Sequence, residues 1–187
     1  MRGGALARLG TDLFFPPTRG LRELVTSLRL RAAGVPTPEV IGFVVYRAGP
    51  VLRRSDVVTR EIPGGADLAS ALRTVSDVER RRATLEAAAQ LVAALSREGA
   101  HHSDLNLRNI LISGIGAGES AQPQAQAQAF ILDVDRIRFH VPGDPVVLGA
   151  NIARLARSMR KLRDRGELKI DDSEIETLRA RAMELAG

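Results

Sequence analysis

Apolar positions in this chain alternate between helical and strand-like periods, with glycine and proline marking the breaks. Leu21, Leu24, Val25 and Leu28 recur at three- and four-residue spacing, predicting a helix over about Arg19 to Ala33 with one apolar face. Pro16-Pro17-Thr18 reads as its stop-and-cap entry, and Gly34 with Pro36 as its end. Val40 to Tyr46 and Asp56 to Ile62 are rich in β-branched residues and flank Gly49-Pro50, the pattern of a hairpin. Asp67 caps a short helix to about Leu72, and Asp77 caps a longer one over Val78 to Glu98. Leu85, Ala88, Ala89, Val92 and Leu95 share one face of that longer helix, which predicts burial, and Gly99 ends it. Two apolar strands follow, Ile110-Leu111-Ile112 and Phe130-Ile131-Leu132, separated by the Gly-rich and Gln/Ala-alternating stretch 113–129, read as a solvated inserted loop. A helix starts at Asn151 or just before it and runs to Arg165, with Ile152, Leu155, Ala156, Met159 and Leu162 inward and Gly166 as its stop. Asp171-Asp172-Ser173 caps a last helix over Glu174 to Leu185. Met1 to Phe15 hold no complete element, no repeat recurs, and Pro63-Gly64-Gly65 is a candidate hinge dividing 1–63 from 64–187.

Composition narrows the class without naming a chemistry. The 187 residues, 44% hydrophobic and 26% charged, suit one globular domain or one and a half. No apolar run has the length of a bilayer helix or a signal peptide, so a cytoplasmic location is the default expectation. With no cysteine there is neither a disulfide framework nor a thiolate metal site. The net charge is +5, and Lys161 and Lys169 are the only lysines among 27 basic residues. Arginine grips phosphate and carboxylate bidentately, so an anionic partner is expected: a nucleotide, an anionic glycolipid or a membrane surface. Nucleic acid is not expected, because 3% aromatic residues and no tryptophan leave little to stack bases on.

The chemistry is concentrated in His102-Ser103-Asp104-Leu105-Asn106-Leu107-Arg108-Asn109 and in the strand end Leu132-Asp133-Val134-Asp135-Arg136. An H-x-D-L-x-x-x-N loop followed by an apolar strand ending in Asp is the arrangement of kinase-like phosphotransferases. Phosphoryl transfer asks for an aligned acceptor hydroxyl and neutralised charge rather than covalent help. Asp104 is the candidate carboxylate for the hydroxyl, and Asn109 and Asp133 are hard oxygen donors for Mg2+. His102 is expected to hold the loop through a hydrogen bond. Asp135, two residues beyond Asp133, falls on the same side if the strand continues and is a candidate second ligand. Taken alone, Asp-Leu-x-x-x-Asn is usually a turn, since both residues favour turns; the joint pattern is far rarer. His101 and His140 have no ligand-type neighbours in sequence, and ordinary surface or packing roles are expected. Arg154, Arg157, Arg160 and Arg163 recur every three residues along one stripe, read first as a solvated face and second as a patch for an anionic acceptor or membrane.

At these residues the chain resembles the lipopolysaccharide kinase family, and within it the kinases of 3-deoxy-D-manno-octulosonic acid (Kdo). Their loop reads H-x-D-L-N-x-x-N-I-L and their following strand end is I-D-F-D-R-like; Asn106 after Leu105 matches the first and Arg136 after Asp135 the second. An Arg-Gly-Gly near Met1, the Arg22-Glu23 helix leading into Ala33 to Pro38, and the helix from Asn151 extend the likeness over most of the chain. The resemblance implies an α+β, protein-kinase-like two-lobed fold whose N-terminal lobe is incomplete here and whose C-terminal lobe is mainly helical. It implies ATP and Mg2+ as cofactors and a Kdo sugar of Kdo-lipid A, at the cytoplasmic face of the inner membrane, as acceptor. Glu23 takes the place of the glutamate that pairs the ATP-positioning lysine, with a solvated Arg22-Glu23 surface pair as the plain alternative. Glu61 and Ile62, ahead of the hinge, join it as candidate nucleotide contacts, while Asn106 supports the loop. No glycine-rich phosphate loop and no lysine precede Glu23, and Val134 stands where the family has Phe. The expectation is of a fragment, or a start site downstream of the true one, rather than a degraded remnant. A phosphotransferase with another acceptor, such as another sugar, a small alcohol or a protein, is the first rival, and a kinase-like module without catalysis is the rival of another class.

Overall fold

Aspartate caps and glycine stops set most of the element boundaries. The computed structural model describes residues 19–47, 53–114 and 126–187. Helix α1 spans Arg19–Ala32, and strands β1 (Val40–Arg47) and β2 (Arg53–Thr59) form an antiparallel pair. A two-residue strand β3 (Ala66–Asp67) leads into α2 (Leu68–Thr74), where the Asp67 carboxylate accepts from the Ser70 N–H at 3.0 Å. Helix α3 (Val78–Arg97) begins on the Asp77 carboxylate, which accepts from the Arg80 N–H at 2.8 Å. Strand β4 (Ala100–His102), a 3₁₀ turn at Leu107–Asn109, β5 (Ile110–Ser113), β6 (Gln128–Ile131), a second 3₁₀ turn at Val134–Arg136 and β7 (Ile137–Phe139) follow. Helices α4 (Pro145–Asp164) and α5 (Asp172–Ala186) complete the described chain. Strand order is β1-β2, β3-β5-β6 and β4-β7, every pairing antiparallel.

The core lies around α3. Leu85, Ala88, Ala89, Val92 and Leu95 are buried, joined by Leu91 and Ala93, and α4, α5, β4 and β6 pack about that helix. Many of these side chains are alanines, which lets the neighbouring elements come close with little side-chain entropy lost. Ile152, Leu155 and Met159 of α4 are buried, as expected, with Ala156 and Leu162 packed at the core's edge. Arg81 clamps one end of this assembly: its guanidinium donates to the Leu72 and Lys169 carbonyls and pairs with Glu174. Glu174 also completes a capping box with Asp171 at the start of α5.

Several boundaries differ from the sequence reading. Helix α4 begins at Pro145, six residues before Asn151, because Asp144 caps it and proline fits its first turn. Strand β2 starts at Arg53 rather than Asp56 and stops at Thr59, so its first residues are polar and carry no apolar signal. Strand β6 ends at Ile131, before Leu132, and the ends of the 113–129 stretch are strand: Ser113 pairs with Gln128 and Ile112 with Ala129. Strands β4 and β7, three residues each, have no sequence period to show. Gly49-Pro50, Met1 to Thr18 and residues 115–125 lie outside the described residues.

The largest departure is α1. Its apolar stripe faces outward: Leu21 is 42% exposed and Val25 and Leu28 are each 58% exposed, while Thr26, Ser27 and Leu30 are buried. The inward side packs on polar backbone, with the Ser27 hydroxyl donating to the Pro38 carbonyl at 3.3 Å and Arg31 to the Thr37 carbonyl at 3.3 Å. Gly20 admits the Phe43 ring, which a Cβ at that position would approach to 2.9 Å. Among the described residues nothing covers the outward stripe, and Ile41, Val44, Val45, Tyr46 and Val58 of the hairpin are exposed as well.

Candidate active site

Two short segments meet in front of β4, β5 and β6, and backbone hydrogen bonds lock them together. The Ser103 N–H and hydroxyl both donate to the Arg136 carbonyl, at 3.2 and 3.0 Å. The Leu132 N–H donates to the Asn109 carbonyl at 2.9 Å. The linker after α1 joins them, with the Ile131 N–H donating to the Pro36 carbonyl at 3.0 Å and the Thr37 hydroxyl to the Ile131 carbonyl at 3.1 Å. So Asp104, Asn109, Asp133 and α1, separated by up to 114 positions, are carried on one frame.

The loop is shaped from beneath by His102, which is fully buried. The Asp104 N–H donates to its Nδ1 at 3.2 Å, so Nδ1 is unprotonated and Nε2 carries the hydrogen, donating to the Leu132 carbonyl at 3.1 Å. One imidazole thereby ties the loop to the strand end. Asn106 and Asn109 finish the turn: each donates its amide nitrogen to the Asp104 carbonyl, at 3.0 and 2.8 Å, and the Asn106 Oδ1 accepts from the Arg108 N–H at 2.9 Å. With Nδ2 committed, Oδ1 is the Asn109 atom available to a cation. The Asp104 side chain is exposed, on top of this scaffold. Asn151, buried on α4, was not singled out by sequence; its Oδ1 accepts from the His102 N–H at 3.1 Å and its amide donates to the Ala100 carbonyl at 3.0 Å. A lone polar residue on an otherwise inward helix face was the available signal.

Burial holds the His102 imidazole below its usual titration range, opposed by the Leu132 hydrogen bond and by Asp104, Asp133 and Asp135. A depressed folded-state value means stability is fully present above the unfolded value near 6.5 and is lost as pH falls from there towards the folded value. His101, also lowered by burial, acts in the same direction. Melting curves of the wild type and His102→Gln should therefore diverge below pH ~6.5, the wild type losing at most ~1.4 kcal/mol more per pH unit; parallel curves would refute the neutral, two-bond imidazole.

Asp133 sits at φ 51, ψ 43, the left-handed region, and is the only non-glycine residue with positive φ among those described. Asp tolerates this conformation at a cost, and such outliers gather at functional sites. The chain turns there into the 3₁₀ segment, so the expectation that Asp135 follows from a continuing strand does not hold. The two carboxylates converge instead on Arg19 of α1, at 3.4 Å for Asp133 and 3.2 Å for Asp135. Glu23, one helical turn on, stands 3.9 Å from the same guanidinium with its side chain only 14% exposed. It is thus no solvated partner of Arg22. Burial raises its carboxyl above the usual range, Arg19 pulls it down, and Asp135 and Asp133 push it up.

Arg19 escaped the sequence reading because its three partners are spread between positions 23 and 135. Glu23 and Asp133 line a cavity of about 200 Å³ with Ser27, Thr37, Pro38, Val40, Thr59, Ile131, Leu132 and Val134. Glu61 and Ile62 are elsewhere, exposed and half-buried in the connection after β2, and do not line it. Removing the shared cation in Arg19→Met is expected to destabilise the chain by about 1–3 kcal/mol, the cost of leaving partly buried acceptors unpaired. Denaturant unfolding measures it, and an unchanged midpoint would show that the carboxylates do not depend on Arg19.

Asp135 Oδ1 is buried without a hydrogen-bond partner. Carboxylate and amide oxygens such as those of Asp133, Asp135 and Asn109 are of the hard type Mg2+ takes, one or two carboxylates completed by phosphate oxygens and water. Among the described residues no group of three or more His, Cys, Asp or Glu is placed to hold a metal ion, so phosphate or water oxygens would have to supply most of any Mg2+ shell here.

Residues 1–180 match the lipopolysaccharide kinase (Kdo/WaaP) family. The chain belongs to this family. It is 30% identical over 174 residues to a 3-deoxy-D-manno-octulosonic acid kinase of Xylella fastidiosa (strain M12), a match covering 91% of this chain and 62% of that protein. The counterpart of Xanthomonas oryzae pv. oryzae (strain PXO99A) is 31% identical over 200 residues, covering all of this chain and 69% of the relative. The chain therefore spans about three fifths of the length of the Xylella relatives. Among solved structures, WaaP in complex with acyl carrier protein matches at 20% identity and a TM-score of 0.55, over 90% of this chain and 77% of that one. That likeness is of fold: α+β and protein-kinase-like. No helix among the described residues is long and apolar enough to cross a membrane.

Proposed function

We propose that this lipopolysaccharide kinase family member transfers the γ-phosphate of ATP to a Kdo sugar of Kdo-lipid A, acting from the cytoplasmic side of the inner membrane. The observation that carries the reading is the single frame formed by the 102–109 loop, Asp133 and α1 through Ser103, Asn109 and Thr37. On it Asp104 orients the acceptor hydroxyl and takes its proton as the oxygen attacks phosphorus. His102, Asn106 and Asn109 fix the backbone of Asp104, so the carboxylate is carried on a preorganised loop. Asn109, Asp133 and Asp135 are the residues to hold Mg2+, which when bound neutralises phosphate charge. Glu23, held against Arg19, borders the cavity proposed to take the nucleotide.

The 30% identity to Kdo kinases supports the acceptor class. A panel of acceptors with labelled ATP tests it: Kdo-lipid A, lipid A without Kdo, a neutral sugar, choline and a generic peptide. Label is expected on Kdo-lipid A alone; transfer confined to any other acceptor would replace the substrate assignment.

A further inference from the structure

Helical geometry sorts the basic residues of α4 by what they face. At about 100° per residue, a spacing of three drifts by about 60° each step, so Arg154, Arg157, Arg160 and Arg163 do not share one stripe. Arg160 and Arg163 turn towards α5 and are neutralised there. Arg160 meets Asp172 at 3.4 Å and Glu176 at 3.6 Å, and Arg163 meets Asp172 at 3.0 Å. Arg154, Arg157, Ser158, Lys161 and Arg165 fall within about 100° of arc on the other side. They form one wall of a cleft of about 390 Å³ whose opposite wall is the 104–108 segment. The two walls are joined where the Leu107 N–H donates to the Ser158 hydroxyl at 3.4 Å.

Arg108, Arg154, Arg157 and Lys161 make no ion pair with any described residue, and the only one Arg165 makes is with Glu167 at 3.8 Å. Asp104 is the sole carboxylate lining the cleft. Four uncompensated cations around one concavity raise a positive potential that attracts anions. Three are arginines, whose planar forks match phosphate and carboxylate oxygens. The neighbouring arginines of the same helix are paired, which makes the gathering of unpaired ones beside Asp104 a property of this cleft.

We propose that the cleft binds an anionic group of the acceptor's saccharide headgroup, a phosphate or carboxylate, and so presents the neighbouring hydroxyl to Asp104. This rests on the phosphotransferase reading above and adds the acceptor subsite to it. A general contact with anionic bilayer lipid would use the same chemistry, and the experiment separates the two.

The full chain is sedimented with phosphatidylcholine vesicles carrying either bisphosphorylated Kdo-lipid A or a charge-matched amount of phosphatidylglycerol. Wild type is expected to bind the Kdo-lipid A vesicles preferentially. Arg154→Gln with Arg157→Gln should weaken that binding at least ~10-fold by removing charge-assisted contacts, with an unchanged melting curve. Arg160→Gln, on the α5 side, should bind as wild type. In turnover the double variant should raise KM for the acceptor and leave KM for ATP unchanged. Equal binding of wild type to phosphatidylglycerol, no binding to Kdo-lipid A, or full binding by the double variant would each overturn the subsite. Binding through Arg154 and Arg157 without phosphate transfer to Kdo-lipid A would keep the subsite and sink the function proposed above.

Discussion

Asp104→Asn is expected to lower the rate of phosphoryl transfer by on the order of 10²–10⁴-fold, the usual contribution of a positioned general base, while the folded state persists. The two halves of that expectation come from different atoms. The Asp104 backbone is held by His102, Asn106 and Asn109, and none of these contacts involves the side chain being changed. The exposed carboxylate carries no core packing either, so the melting temperature should stay at the wild-type value. Asparagine has nearly the same shape but cannot accept the hydroxyl proton, so kcat should fall with little change in nucleotide affinity. Steady-state kinetics beside a nucleotide titration make the distinction. A variant that loses both equally would point to a structural role for Asp104.

Asp133→Asn carries the second large effect, in metal dependence. Asparagine tolerates the left-handed backbone of Asp133 as well as aspartate does, whereas alanine there would add roughly 1–2 kcal/mol of backbone strain. The asparagine variant thus keeps the backbone while removing the charge that serves both Mg2+ and Arg19, and a melting curve beside the titration reads the Arg19 part. With Asp135 and Asn109 left, the affinity for Mg2+ in the presence of nucleotide should fall at least ~10–100-fold, a range already reached by mutation of residues that only support metal ligands. Calorimetric titration of ATP at varied Mg2+ reads this without any turnover. Magnesium dependence equal to wild type would remove Asp133 from the ligand set.

How much of this was legible beforehand follows the range of the interactions involved. Helix α3 and its buried face were readable because local periodicity and the Asp77 cap agree with the packing. The H-x-D-L-N-x-x-N loop was readable because one turn contains its own supports, Asn106 and Asn109 both reaching the Asp104 carbonyl. Helix α1 was misleading: an apolar stripe ordinarily marks the inward face, yet here the inward face holds Glu23, Thr26 and Ser27, serving a polar linker and a charged site. Arg19 gave no signal because its partners are remote in sequence, and Asn151 gave only that of a polar residue on an inward helix face. Strands β4 and β7, at three residues each, are shorter than any period can reveal, and exist because His102 and Ile137 face one another in a ladder. The basic residues of α4 do not form one stripe because a spacing of three drifts around the helix, and only the pairing of Arg160 and Arg163 with α5 shows which of them remain uncompensated.

The central claim is that this chain moves phosphate from ATP to a Kdo sugar by way of Asp104. Single-turnover incubation with ATP, Mg2+ and Kdo-lipid A, followed by mass analysis of the glycolipid, tests it most directly. Wild type is predicted to add one phosphate to the Kdo residue and Asp104→Asn to add none on the same timescale; an unchanged glycolipid with wild type, or equal phosphorylation by both, would contradict the account.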